Sequence, residues 1–419
     1  MFKAITNLLK HKTARQTAIL FGSQIIAIIL NILITPIITR NLGPEKYGIF
    51  VFIMAFISFI SLFFEFGFFS AGARLLAESK DDEKDREIIG ALVIVALVIS
   101  FIFSITIFVF SFFIDGIFHT HAGNIIRTVS LLSFILPFQY MTQQCCQGTN
   151  KIKELSILNW VPEAWLLSGL LVIINFLNLD IFLTLFLSFS GIVIAVLLVF
   201  KRLNPRFIHV EENLKLILKE TKEYGIHVYW GRIVDVSTYN LDKIFVSYFR
   251  DTVQTGFYGL SALLASPIPL LSQAISTTLF KDFSQKERIP KKVIIFNFLW
   301  LLFCVIGLTV LGRFFVTVLF SDRYLSVTPL IFPMALAGFF QGMYQPYIMF
   351  FTAHRKGGWV RNMAWMMAFS NFACNILFIP LWGAMGAALA SAVSMAFAVF
   401  VYLFYYKKYL REEKLKGFL

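Results

Sequence analysis

About twelve apolar runs, each close to the ~20 residues that carry a helix across a bilayer, occupy this chain of 419 residues from end to end. They fall at 17–39, 49–72, 88–114, 128–147, 156–177 and 181–200, then at 225–248, 257–280, 293–319, 328–351, 362–381 and 385–405. Inside lipid every backbone N–H and C=O must find its partner within the protein, so continuous runs of this length are read as helices. Composition agrees: 58% of residues are hydrophobic and 15% charged, against about a quarter charged in a soluble globule. The expected fold class is an all-α polytopic membrane protein, with the lipid bilayer as its first partner. Residues 1–16 read as a basic amphipathic stretch, and the run behind them as a helix that is retained rather than cleaved.

The basic residues set the orientation. With the N-terminus inside, the segments 3–15, 74–86, 151–153, 201–222, 281–292, 355–361 and 407–416 hold 29 of the 37 Lys and Arg, and the outer loops hold five. By the positive-inside rule both termini are expected in the cytoplasm. The net charge of +13 is thus a topology signal spread over seven short segments, and nucleic acid is not an expected partner.

Little in the chain points to covalent chemistry. Cys145, Cys146, Cys304 and Cys374 lie in apolar segments with no CxxC or Cys/His spacing, and His119 and His121 share a short loop with no third ligand. No metal and no cofactor are expected. A GxxxxGK[ST] phosphate loop is missing, so direct use of ATP is not expected either. No loop is long enough for a catalytic domain.

The seventh run carries the chemistry. Arg232, Asp235, Asp242 and Lys243 lie inside it, at roughly 2.5–3.5 kcal/mol each on insertion scales. At about 100° per residue they share one face with Tyr239, about a third of the circumference. Two readings stand. The charges form a buried network, Arg232 with Asp235 and Asp242 with Lys243, that only orients helices; or they line a path for a polar, charged substrate.

The longest inner segment, 201–224, sits midway, and Leu214, Ile217 and Leu218 suggest a short interfacial helix behind Pro205. It divides the chain into 1–200, an N-terminal set of six helices; 201–224, a central cytoplasmic loop; and 225–419, a C-terminal set of six with a basic tail. Six spans per half give both halves the same orientation, as in parallel repeats. A sequence echo supports this: Asn41-Leu-Gly-Pro-Glu-Lys-Tyr-Gly48-Ile-Phe50 follows the first run, and Phe249-Arg-Asp-Thr-Val-Gln-Thr-Gly256-Phe-Tyr258 follows the seventh.

Asn31 and Pro36 in the first run, Arg40-Asn-Leu-Gly43-Pro-Glu-Lys-Tyr47-Gly48, and Glu65-Phe-Gly67-Phe-Phe-Ser70-Ala-Gly-Ala-Arg74 together resemble the polysaccharide flippases, O-antigen transporters among them, of the multidrug/oligosaccharidyl-lipid/polysaccharide exporter superfamily. The resemblance covers the whole chain in length and span count, while its specific motifs lie in the first eighty residues. It implies two six-helix lobes forming a V around a central cavity. It also implies export of undecaprenyl-pyrophosphate-linked glycan across a bacterial cytoplasmic (inner) membrane by alternating access, with polysaccharide polymerase and chain-length proteins as partners.

Such a substrate dictates the residues it needs. Pyrophosphate calls for fixed positive charge, so Arg232 and Lys243 are the expected phosphate ligands, moderated by Asp235 and Asp242. Sugars call for hydroxyl-matched groups and aromatic platforms, for which Tyr239, Asn240, Asn31, Trp160 and Trp165 are candidates. Pro36, Pro162, Pro267 and Pro269 interrupt spans and are candidate hinges. Coupling to a proton or sodium gradient needs an acid apart from the phosphate site, because an acid beside the cations would strengthen anion binding when neutralised; Glu65 and Glu163 are the candidates. The alternatives are a flippase for another lipid-linked glycan (peptidoglycan precursor, teichoic acid), a multidrug cation exporter and, last, a membrane glycosyltransferase.

Overall fold

A computed structural model describes residues 12–416; most of the basic stretch expected at 1–16 lies outside the described residues. Among them every regular element is helical. The first half contains α1 (Lys12–Leu62), α2 (Phe68–Glu78), α3 (Asp82–Phe118), α4 (Gly123–Ser133), α5 (Ile135–Gly148), α6 (Ile152–Ile173) and α7 (Ile181–Leu203). A short helix α8 (Val210–Glu220) and a π-turn (Thr221–Gly225) lead into α9 (Ile226–Phe249). Then come α10 (Thr252–Ala265), α11 (Leu270–Thr278), α12 (Phe280–Ser284), α13 (Lys291–Phe315), α14 (Thr328–Ala353), α15 (Gly357–Trp382) and α16 (Ala384–Lys416).

The local chemistry explains the ends. Asp81, Asp180 and Asp251 cap α3, α7 and α10, accepting from the backbone N–H groups of Glu83 (2.9 Å), Leu183 (2.7 Å) and Gln254 (2.7 Å). Within α1, Gly43 takes a left-handed φ of 74° and Pro44 restarts the helix, so the element is two arms. Nine helices among the described residues are long and apolar enough to cross a membrane, ten with the bent pair α10–α11 taken as one. One of the nine, Ala18–Leu62, is 45 residues long, roughly 68 Å at 1.5 Å per residue and twice a bilayer core, so it makes two crossings. With α9, which carries the four charges, this gives the twelve spans expected. The expected boundaries shift in three places: the second span breaks at 63–67, the fourth is the pair α4 and α5, and the eighth bends by 43°.

By compactness the chain forms two units, Met1–Lys46 with Phe56–Ile233, and Tyr47–Ala55 with Val234–Leu419. The division differs from 1–200, 201–224 and 225–419 in three respects: the connector belongs to the first unit, the boundary falls within α9, and Tyr47–Ala55 belongs to the second unit. Arg206 ties the connector to α3, its N–H donating to Arg86 O at 2.9 Å and its guanidinium reaching Glu83 at 2.9 Å.

In the first unit α3 buries Ser100, Ser104 and Ser111 and exposes Phe101, Phe112 and Phe113. Small polar residues inside and large apolar ones outside is the arrangement of a helix in lipid. In the second unit Ala387, Ala388 and Ala390 of α16 are fully buried where it packs against α14 and α15. The two echoed turns meet there: a Cβ on Gly256 would lie 3.0 Å from the Cα of Gly48, so the equivalent glycines touch backbone to backbone.

Candidate functional site

The break in the second span builds the site. Phe66 (φ 46°) and Gly67 (φ 80°) are both left-handed, and the helix restarts at Phe68. Gly67 meets Gly225 of the π-turn so closely that a Cβ on either would overlap the other's carbonyl. The break also leaves carbonyls without helical partners, and the Tyr229 hydroxyl donates to one of them, Phe63 O, at 3.0 Å. The start of α9 is thereby docked on the break, and Arg232 stands beside Glu65.

Arg232 Nε lies 3.1 Å from Glu65 Oε2, an ion pair whose N–H is not aimed at the oxygen. Its guanidinium carbon sits 3.3 Å from the centre of the Tyr140 ring, a cation–π stack. The Tyr140 hydroxyl accepts from Gln144 Nε2 at 2.8 Å and lies 3.5 Å from Ser70 Oγ. Glu65 is 6% exposed, whereas the Arg232 side chain is 28% exposed, so the cation reaches open space and its counter-ion does not.

That space is an open cavity of about 520 Å³ with three walls, each one helix face. Ser70, Ala73, Arg74 and Ala77 recur at the three- and four-residue spacing of α2, and the two alanines leave the room. Tyr140, Gln144 and Gln147 line it from α5; Tyr224, Val228 and Arg232 line it from the π-turn and α9. At the end away from Glu65, Arg74 stacks on Tyr224 at 4.7 Å and pairs with Glu78 and Glu220, each at 3.0 Å. The hydrogen bond to Glu78, followed by the charge of Glu220, raises the Arg74 pKa above its ordinary value. The cavity thus carries an Arg-on-Tyr stack at each end and neutral amides between.

In the second unit Asp242 is 3% exposed and caged. Tyr258 (2.5 Å) and Ser391 (3.1 Å) donate to its Oδ2, and Asn375 Nδ2 (2.5 Å) to its Oδ1. Asn375 also donates to Asn371 Oδ1 at 3.0 Å.

These positions correct two sequence expectations. Glu65 is not an isolated acid but the counter-ion of Arg232. Asp242 does not form an ion pair with Lys243, since adjacent helical residues do not face each other; three donors from α10, α15 and α16 hold it instead. The side chains of Asp235 and Tyr239 lie outside the described residues, so the expected Arg232–Asp235 pair lies there too. Lys243 and Asn240 are half-buried on α9. Glu163 meets Asn31, which brings two candidates from different spans together. Pro267 and Pro269 stand at the 43° bend, whereas Pro36 lies within the first arm of α1 and Pro162 within α6. Trp165 donates to Ser190 Oγ at 2.9 Å, and Trp160 is exposed.

Tyr140, Gln144, Gln147 and Tyr224, which build the cavity, were not among the expected residues, nor were Tyr258, Asn375 and Ser391. The signal was present: Gln144 and Gln147 sit at a three-residue spacing in an apolar run, as Asn371 and Asn375 do at four. A polar residue in a span needs a partner or a cavity.

Comparison with known proteins supplies the class. A family model described as polysaccharide biosynthesis protein matches residues 13–287. An uncharacterized membrane protein of Methanocaldococcus jannaschii is 24% identical over 377 residues, 84% of this chain and 88% of that one. Among solved structures, the lipid II flippase MurJ in an inward closed conformation superposes with a TM-score of 0.70 at 17% identity, covering 95% of this chain and 90% of that one. An inward-facing multidrug resistance MATE family transporter of the MOP superfamily gives 0.68 at 14%, covering 93% and 95%. The chain belongs to the polysaccharide biosynthesis protein family; it is a multi-pass membrane protein by its apolar helices, and it shares its fold with these flippase and transporter structures.

Proposed function

We propose that this protein flips undecaprenyl-pyrophosphate-linked oligosaccharide, an O-antigen or similar polysaccharide repeat unit, from the cytoplasmic to the periplasmic leaflet of a bacterial inner membrane by alternating access. The observation that carries the reading is Arg232: a cation stacked on Tyr140, facing an open cavity, and paired with the Glu65 carboxylate. A pyrophosphate entering the cavity offers Arg232 a bidentate, doubly charged replacement for Glu65. Glu65 then acts as the internal anion that reclaims Arg232 on release, so the site is never an unpaired charge in lipid. The basic residues around Arg74 set this cavity toward the cytoplasm, where the substrate is made.

The pairing of Glu65 with Arg232 favours one of the two coupling candidates. Neutralising Glu65 would free Arg232 and strengthen anion binding, the wrong sign for exchange of an ion against an anionic substrate. Glu163, which meets Asn31, is therefore the better carrier of the coupling proton or sodium ion.

The test is export in a deletion strain, read as the lipid-linked intermediate left on the cytoplasmic leaflet. Arg232→Ala should abolish export and Arg232→Lys should keep part of it. Export by Arg232→Ala at the native rate, with protein present at native amounts, would overturn the proposal. The intermediate that accumulates identifies the glycan, whether an O-antigen unit, a peptidoglycan precursor or a teichoic acid.

A further inference from the structure

Resting on the pyrophosphate reading of Arg232, the geometry points to a second function of the same cavity: Gln144 and Gln147 of α5 form a subsite for the pyranose bonded directly to the pyrophosphate. Three observations carry this. The first is position. Tyr140 and Gln147 are seven residues apart on one helix face, roughly 10 Å along the axis, so the amide wall leads away from Arg232 and toward Arg74. A sugar whose anomeric carbon is joined to a phosphate at Arg232 must lie beside that phosphate.

The second is chemistry. Arg74 is already matched by Glu78 and Glu220, so the far end of the cavity presents no uncommitted charge. What remains is neutral: amides that both donate and accept, as sugar hydroxyls do, between the two Arg-on-Tyr stacks. The isoprenoid tail has no use for such a wall. The third is availability. The Gln147 side chain makes no hydrogen bond among the described residues and is exposed to the cavity, whereas Gln144 is held by Tyr140 and so pre-positioned.

Binding of two probes to the purified full chain tests this: a short-chain polyprenyl pyrophosphate, and the same compound bearing one N-acetylhexosamine. The native protein should prefer the sugar-bearing probe. Gln147→Ala should weaken that probe about five- to tenfold, the worth of about one hydrogen bond, and leave the bare one unchanged. Gln147→Asn should recover part of the preference. Arg232→Ala should weaken both probes. A native protein with no preference, or a Gln147→Ala variant that binds both as before or loses both equally, overturns the sugar subsite. Unchanged binding of the bare probe by Arg232→Ala overturns the pyrophosphate reading instead.

Discussion

Arg232 and Glu65 neutralise each other at 3.1 Å, one from two turns into α9 and the other from the break before α2. The pair exists because two glycines, Gly67 and Gly225, allow the break and the π-turn to touch. Its asymmetry matters: the carboxylate is enclosed while the guanidinium faces the cavity, so an incoming anion competes with Glu65 for a cation it can reach.

Competition predicts a split between binding and turnover. Glu65→Gln removes the rival charge and keeps the shape, so a short-chain polyprenyl pyrophosphate should bind roughly three- to tenfold more tightly, up to about 1.4 kcal/mol. Export should nonetheless slow, because release loses the group that displaces the product. Unchanged affinity, or export at the native rate or faster, would contradict competition by Glu65.

Stability should separate the pair from the chemistry. Arg232→Ala strands an enclosed carboxylate and should cost about 1–3 kcal/mol, seen as less folded protein on fluorescence-detected size exclusion. The double variant Glu65→Ala with Arg232→Ala should restore the amount of protein and not export. If the double variant also exports, Arg232 serves only to neutralise Glu65.

Asp242 is expected to be a packing centre of the second unit. Asp242→Ala removes the acceptor shared by Tyr258, Ser391 and Asn375, leaving the two hydroxyls only each other and Asn375 only Asn371, a loss of about 1–3 kcal/mol in thermal unfolding. Asp242→Asn keeps one acceptor and should lose less. An unfolding midpoint that does not move with Asp242→Ala would show the cage to be dispensable.

Gly67→Ala and Gly225→Ala should each be poorly tolerated, since the opposing atoms are backbone and cannot rotate away, and Gly67 is left-handed as well. Gly231→Ala, in α9 just beyond the π-turn and with open space around it, is the control and should behave as native. Equal yields of all three variants would mean that the two backbones do not touch.

Topology can be read by cysteine labelling in a background lacking the four native cysteines. Glu45, Asn124 and Arg323 should label from the periplasm, and Asp82, Lys215 and Lys286 only after permeabilisation. All six are exposed, whereas Asn213 in the connector is fully buried and Gly43 is left-handed, which disqualifies both as probes. Reversed labelling would invert the proposed export direction.

The sequence by itself determined the kind of element and its number, because crossing a bilayer demands a run of about twenty apolar residues and leaves the backbone no choice but a helix. It also marked α9 and Glu65, because a charge inside a span stands out against its neighbours, and it showed Gly48 and Gly256 as equivalent points of two halves. What it did not contain was the partnership between elements. Helical period placed Arg232 on the charged face of its run, but nothing in it pointed to Glu65, 167 positions earlier in the chain. Asp242 turned to residues on three other helices rather than to its neighbour. Gln144 and Gln147 became a cavity wall only once two alanines of α2 stood opposite. Period fixes a side chain's direction around its own axis, but the neighbour it meets is set by how far helices slide and how closely they approach. In this protein that is decided by contacts such as Gly67 with Gly225, where the missing side chain is the determinant and leaves no mark of its own in a single sequence.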